Sequence, residues 1–245
     1  ENLSQLIGSV HDNSCELGFG FDGDGDRIGV VDAKGRIIWA DQLMMFFARE
    51  ILNNHPGETI IADVKSSQAL FDEIKRLNGT PLMCGTGHSR IRSKMIELSA
   101  PLAGEMSGHI FFNDRYYGFD DALYASLRLL SFLDMNDTPL DKLYDRLPVL
   151  FNTPEIRFSC PEEMKFEVVE QLSNTLDEDT RDISRIDGIR VKTNDGWWLL
   201  RASNTQDALV ARCESYSENG LKNLIDELVK NLSAFGLSLP NNIID

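Results

Sequence analysis

The sequence predicts an α/β protein, with a doubly wound mixed-sheet domain first and a smaller α+β domain after it. Three observations carry this. Apolar stretches of strand length alternate with helical periodicity four times before residue 136. A break at Asn136-Asp137-Thr138-Pro139, with Pro148 and Pro154 beyond it, then interrupts the alternation. After the break, strand patterns gather in a run flanked by helices, which indicates an α+β unit.

Taken in order, residues 1–10 have helical spacing, with Leu3, Leu6, Ile7 and Val10 on one face. Residues 16–21 and 28–32 read as strands around an Asp-Gly loop, and a turn at 33–36 leads to a short strand at 37–39. Asp41 is the expected N-cap of a helix that turns Leu43, Met44, Phe47, Ala48, Ile51 and Leu52 inward until Pro56-Gly57. A buried strand at 59–64, a helix at 69–77 and a strand at 81–84 follow. Residues 89–98 are helical, and 101–103 lead into the loop Gly104-Glu105-Met106-Ser107-Gly108-His109. Asp120 or Asp121 caps an amphipathic helix through 135, and 140–147 form a short connecting helix. The second part is expected to hold a strand at 155–159, a helix at 162–175, an acidic turn at 177–180, strands at 189–192, 197–201 and 208–215, and a helix at 218–232.

At 245 residues with a net charge of −15, the chain has ample core but repels nucleic acid and anionic membranes, so neither is an expected partner. No run of about 18 apolar residues appears and no signal-peptide pattern precedes Leu17. Cys15, Cys84, Cys160 and Cys213 are widely spaced without a Cys-x-x-Cys pair, which fits reduced thiols and a cytoplasmic location.

The segment Phe21-Asp22-Gly23-Asp24-Gly25-Asp26-Arg27 places three carboxylates on alternate positions. Their mutual repulsion calls for a cation, and hard oxygen donors suit Mg²⁺ or Ca²⁺. The expected position, at the C-terminal end of a strand, is where α/β proteins place their chemistry. A plain solvated hairpin turn is the simpler alternative. An EF-hand fails, because Arg27 stands where its glycine belongs and Ala33 where its glutamate belongs.

This loop resembles the metal-binding loop of the α-D-phosphohexomutases, the phosphomannomutase/phosphoglucomutase family. Thr86-Gly87-His88-Ser89 is similar to that family's Thr-Gly-His-Ser segment. Gly104-Glu105-Met106-Ser107-Gly108-His109 resembles its sugar-recognition loop, Arg201-Ala202-Ser203-Asn204-Thr205 its phosphate-binding loop, and Asp63-Val64-Lys65-Ser66-Ser67 its active-site lysine segment. The motifs occur in family order over the whole chain. The resemblance implies that 1–32 end the family's second domain around the metal loop, that 33–147 form the α/β sugar-binding third domain, and that 148–245 form the α+β phosphate-binding fourth.

It further implies interconversion of hexose 1-phosphate and hexose 6-phosphate, of mannose and/or glucose, through a bisphosphorylated hexose and an enzyme phosphoserine. Asp22, Asp24 and Asp26 would hold one Mg²⁺. Arg27, Lys65, His88 and His109 are the catalytic candidates. Gly87, Ser89, Glu105, Ser107, His109, Arg201, Ser203, Asn204 and Thr205 are candidates for binding the hexose phosphate. His109 and His88 suit acid–base or anion contacts, and Glu105 with Ser107 suits a polyol. Structural roles stay open for each: Arg27 as a surface counter-charge, the histidines as packing groups, 201–205 as an ordinary polar turn.

Two departures stand out, Gln206-Asp207 after the phosphate loop and Gly85 where lysine is frequent. The family's nucleophile segment, Thr-Ala-Ser-His-Asn-Pro, does not occur here. The chain, which opens at Glu1 without methionine, is therefore expected to be the C-terminal half of a longer protein. Its partner would be an N-terminal phosphoserine domain, and alone it would be inactive. The alternatives are a non-catalytic sugar-phosphate-binding module, a phosphoglucosamine mutase, and a cation-binding scaffold without a sugar site.

Overall fold

The computed structural model describes residues 3–176 and 182–240, and the chain divides into two compact units, Glu1–Pro148 and Val149–Asp245. The first unit opens with α1 (Ser4–Asp12), which lies on the hairpin of β1 (Leu17–Phe21) and β2 (Ile28–Asp32). The hairpin is antiparallel, in register from Leu17↔Asp32 to Phe21↔Ile28, and β3 (Ile37–Ile38) adds to β2. Next come α2 (Ala40–Asn54), β4 (Thr59–Asp63), α3 (Gln68–Arg76), β5 (Thr80–Cys84), α4 (His88–Leu98), β6 (Leu102–Gly104), β7 (Ile110–Phe112), α5 (Ala122–Asn136) and α6 (Leu140–Tyr144).

The central sheet has the order β5-β4-β6-β7, with β4 parallel to both β5 and β6 and β7 antiparallel to β6. Strand alternation divides its side chains between two layers. Ile60, Ala62, Leu102, Ile110 and Phe112 enter a core with α2, α3 and α5, while Ile61, Ala103 and Phe111 pack with Ile91 and Met95 of α4. Helices on both faces of a mixed sheet make this the doubly wound domain that the alternating pattern predicts.

The Asp-Gly loop follows the end of β1, as expected, and tips a hairpin in a separate three-stranded sheet, because β1 and β2 pair with each other. Two expectations need correction. The N-cap of α2 is Trp39, whose backbone amide donates to Gln42 Oε1 at 3.0 Å. Asp41 lies one residue inside the helix, where its carboxylate accepts the Ser67 amide at 2.9 Å and so joins α2 to the start of α3. The second is β7, which sequence reading leaves as loop because three residues are too few to show a period. Asp121 caps α5, accepting from Tyr124 N at 2.9 Å. At the far end of the unit, Arg36 and Lys34 from the β2–β3 turn both reach Asp145, just after α6, at 2.6 and 2.9 Å.

The second unit contains β8 (Phe151–Asn152), β9 (Ile156–Ser159), α7 (Glu162–Thr175), β10 (Asp182–Ser184), β11 (Ile189–Lys192), β12 (Gly196–Ala202), β13 (Ala208–Ser215) and α8 (Glu218–Ser233). Its sheet runs β10-β11-β12-β13-β8, with β9 also on β13, and every pairing is antiparallel. Trp198, Leu200, Leu209, Ala211 and Cys213 form the core with Val168 and Leu172 of α7 and Leu224 and Leu228 of α8. This is the α+β unit expected. The short strands β8 and β10 were not expected, and the acidic turn at 177–180 lies outside the described residues.

Candidate active site

The tip of the β1–β2 hairpin sets the geometry of the first unit's site. Asp22, Asp24 and Asp26 each offer a carboxylate oxygen, and these oxygens lie within 4.8 Å of one another. Asp22 Oδ1 accepts the amides of Asp26 and Arg27 at 3.2 and 3.1 Å, and Oδ2 accepts Arg27 Nε. Burial alone would raise the Asp22 pKa, but the side-chain and backbone hydrogen bonds from Arg27 outweigh it and hold the group at about 2. Asp26 moves the other way: burial raises it, His109 opposes, and the neighbouring Asp22 and Asp24 raise it further. One Asp26 oxygen, Oδ1, is buried without a hydrogen-bond partner. Three converging carboxylates with an orphaned buried oxygen fit a hard divalent cation, since a buried acceptor without a donor is costly unless an ion meets it.

The hairpin is held against the start of β7. Arg27 and His109 form an antiparallel bridge, and Ile28 N donates to Gly108 O at 3.2 Å. Gly108 has φ +104°, and a Cβ there would lie 3.0 Å from Ile28 O, so only glycine suits both the backbone angle and the approach. His109 Nδ1 then sits 3.6 Å from Asp26 Oδ2 and 2.8 Å from Asp120 Oδ2. The His109 ring lies 5.6 Å from that of His88, which opens α4 and reaches Ser89 Oγ at 3.1 Å.

The loop between β6 and β7 is closed by Glu105 N to His109 O at 2.9 Å and by Gly108 N to Glu105 O at 3.1 Å. Its Glu105 side chain is buried and accepts the Gly87 amide at 2.6 Å, while Ser107 is exposed. Next to it, Met106 N donates to Asp63 Oδ1 at 3.3 Å, and Lys65 Nζ stands 3.8 Å from Asp63 Oδ2. Asp63 is pushed up by its burial, against the opposing Lys65 charge and the Ser66 hydroxyl. Thus the ends of β1, β4 and β6 and the start of α4 bring Asp22, Asp24, Asp26, Arg27, Lys65, Gly87, His88, Ser89, Glu105, Ser107 and His109 into one contiguous region. Sequence reading missed two members, Asp63 and Asp120. Asp63 was noticed only as the end of a strand and the first residue of the lysine segment, and Asp120 only as a possible helix cap.

The second unit carries the other predicted loop. Arg201 lies within β12, paired with Val210, and its buried side chain donates to Asp187 at 3.1 Å. Gly188 (φ +79°) permits this close packing, since a Cβ there would lie 2.5 Å from Arg201 Cβ. Ser203 is buried, and its Oγ accepts the amides of Thr205 and Gln206 at 3.4 and 3.2 Å. Asn204 and Thr205 are exposed. From below, the buried Lys165 donates to Gln206 O at 3.0 Å and pairs with Glu162, and Cys160 N donates to Asp207 O at 3.1 Å. Lys165 is a cation that sequence reading did not single out.

Comparison with known proteins decides the family. Residues 39–151 match the model for phosphoglucomutase/phosphomannomutase, alpha/beta/alpha domain III, and residues 155–231 match that for the C-terminal domain of the same family. This chain belongs to the phosphoglucomutase/phosphomannomutase family. Over 240 residues it is 42% identical to a phosphomannomutase/phosphoglucomutase of Pseudomonas aeruginosa, spanning 98% of this chain and 52% of that protein. Over 226 residues it is 44% identical to a phosphoglucomutase of Neisseria gonorrhoeae, spanning 91% and 49%. A crystal structure of a family protein from Burkholderia thailandensis superposes with a TM-score of 0.90 at 41% identity, covering 98% of this chain and 51% of that one. An Aspergillus fumigatus N-acetylphosphoglucosamine mutase, in complex with GlcNAc-6P and magnesium, shares the fold at a TM-score of 0.65 and 14% identity. The chain spans about half the length of the curated relatives it matches. Among the described residues, no helix is long and apolar enough to cross a membrane.

Proposed function

We propose that this chain supplies the cation, sugar and phosphate loops of a phosphohexomutase that interconverts the 1- and 6-phosphates of mannose and/or glucose. The observation that supports this most is the convergence of the Asp22, Asp24 and Asp26 carboxylates beside His109 and the Glu105 loop, in a chain of this family. Residues 1–32 are read as the end of a second domain and 33–147 and 148–245 as the third and fourth. The transferring phosphoryl group would be carried by a serine on an N-terminal domain outside this chain. A Mg²⁺ held by Asp22, Asp24 and Asp26 would neutralise charge on that phosphoryl group when bound. Arg27 would orient the group, and His109 would exchange a proton with the attacking sugar hydroxyl. Glu105 and Ser107 would hold adjacent hydroxyls, with His88, Ser89, Gly87 and Lys65 at the edge of the same pocket.

The Arg201–Thr205 segment would bind the phosphate that does not react, fixing the opposite end of a bisphosphorylated hexose intermediate. The four free cysteines fit a cytoplasmic enzyme. A glucosamine phosphate substrate is less well supported, because the N-acetylglucosamine mutases among the structural neighbours are only 14% identical, against 41–44% for the glucose and mannose group. The test compares two proteins incubated with ³²P-labelled glucose 1-phosphate or mannose 1-phosphate. The full-length protein forms labelled 6-phosphate in the presence of Mg²⁺, and this chain alone forms none. Inactivity of the full-length protein toward both sugars, or turnover by this chain alone, overturns the reading.

A further inference from the structure

The dyad of His109 and Asp120 sets the chemistry of the histidine before any substrate arrives. A neutral imidazole has one N–H and one lone pair, and a carboxylate can only accept, so a bond between His109 Nδ1 and Asp120 Oδ2 at 2.8 Å requires the proton on Nδ1. The competing acceptor, Asp26 Oδ2, stands farther off at 3.6 Å. Nε2 has no protein hydrogen-bond partner among the described residues, which leaves it as the ring's free lone pair.

Asp120 is itself held on three sides. It bridges Phe111 of β7 as an isolated antiparallel pair. Its neighbour Asp121 caps α5 and accepts the Tyr116 hydroxyl at 2.5 Å, and Ala122 N donates to Gly25 O at 3.1 Å, inside the Asp-Gly loop. The segment that carries Asp120 is therefore fastened to the sheet, to the helix and to the acidic hairpin tip together.

From this geometry we infer that Asp120 is a positioning residue: it locks His109 in the Nδ1–H tautomer, presents Nε2 as the base, and keeps the histidine proton away from Asp26. The inference deepens the mutase reading and rests on it for its catalytic consequence, but its structural content can be measured on this chain alone.

The experiment has two arms. In the first, long-range ¹H–¹⁵N correlation spectra of this chain are recorded at pH 8. Wild type is expected to show His109 protonated on Nδ1, whereas Asp120→Ala moves it toward the Nε2–H form that free imidazole side chains prefer. In the second arm, the same substitution in the full-length protein lowers kcat by about 10- to 100-fold with KM for the hexose phosphate within twofold, as expected when a base loses its orientation rather than a binding group. If Asp120→Ala does not fold, Asp120→Asn, with its weaker acceptor, shifts the tautomer in the same direction by less. Wild type with the proton on Nε2, or a tautomer indifferent to Asp120, overturns the inference. So does an unchanged kcat in the variant. A wild-type full-length protein without mutase activity overturns the proposed function instead, and the spectra still decide the tautomer.

Discussion

The loops at 22–27 and 203–207 both close antiparallel hairpins, yet they end in opposite electrostatic states. In the first, three carboxylates share a tip with one arginine, and Asp26 keeps a buried oxygen without a hydrogen bond. In the second, the loop satisfies itself: Ser203 Oγ takes two backbone amides and Lys165 takes the Gln206 carbonyl. A turn made of its own polar groups is finished when the chain has folded. A turn made of like charges is finished only when something of opposite sign arrives, and Arg27 lies closer to Asp22, at 2.5 Å, than to Asp26, at 3.8 Å.

The largest expected effect breaks the comparison at the acidic loop. For this chain, Mg²⁺ at a hundred times its Kd should stabilise the first unit by about 2.7 kcal/mol. Asp26→Asn should weaken Mg²⁺ binding by at least about tenfold in isothermal titration and so remove about half or more of that stabilisation, because it takes away a charged ligand. An unchanged affinity would mean that the three carboxylates do not act as a cation site.

A smaller effect is expected from the self-satisfied loop. Arg201→Ala should cost about 2 kcal/mol in urea unfolding, since it removes the buried guanidinium that donates to the partly buried Asp187. Ser203→Ala should cost about 1 kcal/mol, the worth of its hydrogen bonds. In the full-length protein the double variant should raise KM sharply and lower kcat, because a distal phosphate site also orients the sugar. A change in stability with normal kinetics would leave 201–205 as a structural turn.

The smallest effect serves as a control on exposed charge. Hydrogen bonds from Arg36 and then Lys34 hold Asp145 down to about 2, below its ordinary 3.8. A depressed carboxylate stabilises the fold above its unfolded pKa, and the contribution disappears as pH falls from 3.8 through 2. The difference in Tm between wild type and Asp145→Asn should therefore be constant above pH 5 and vanish near pH 2. A difference that persists at pH 2 would show that the charge of Asp145 is not what matters.

Much of this was legible in the residues. Periodicity located the helices from α2 to α8, because an amphipathic face repeats over several turns. The Asp-Gly tip and the motifs at 86–89, 104–109 and 201–205 were legible as chemistry because unusual residue types are crowded there. Three kinds of feature were not. Strands of two or three residues such as β7, β8 and β10 have no period, and pairing with neighbours creates them. Trp39 caps α2 through a backbone amide and Gln42, so its residue type gave no sign. Asp120 and Asp121 look alike in sequence, yet one orients a histidine and the other caps a helix.

By itself, the sequence determined which segments are helical and where the like charges crowd, since these depend on neighbours along the chain. Only the tertiary structure decided that the acidic hairpin tip is fastened to the Gly108 backbone beside His109, and that His109 Nδ1 lies nearer Asp120 than Asp26. Those outcomes depend on distances of a few ångströms between residues far apart in the chain, and no local pattern encodes them.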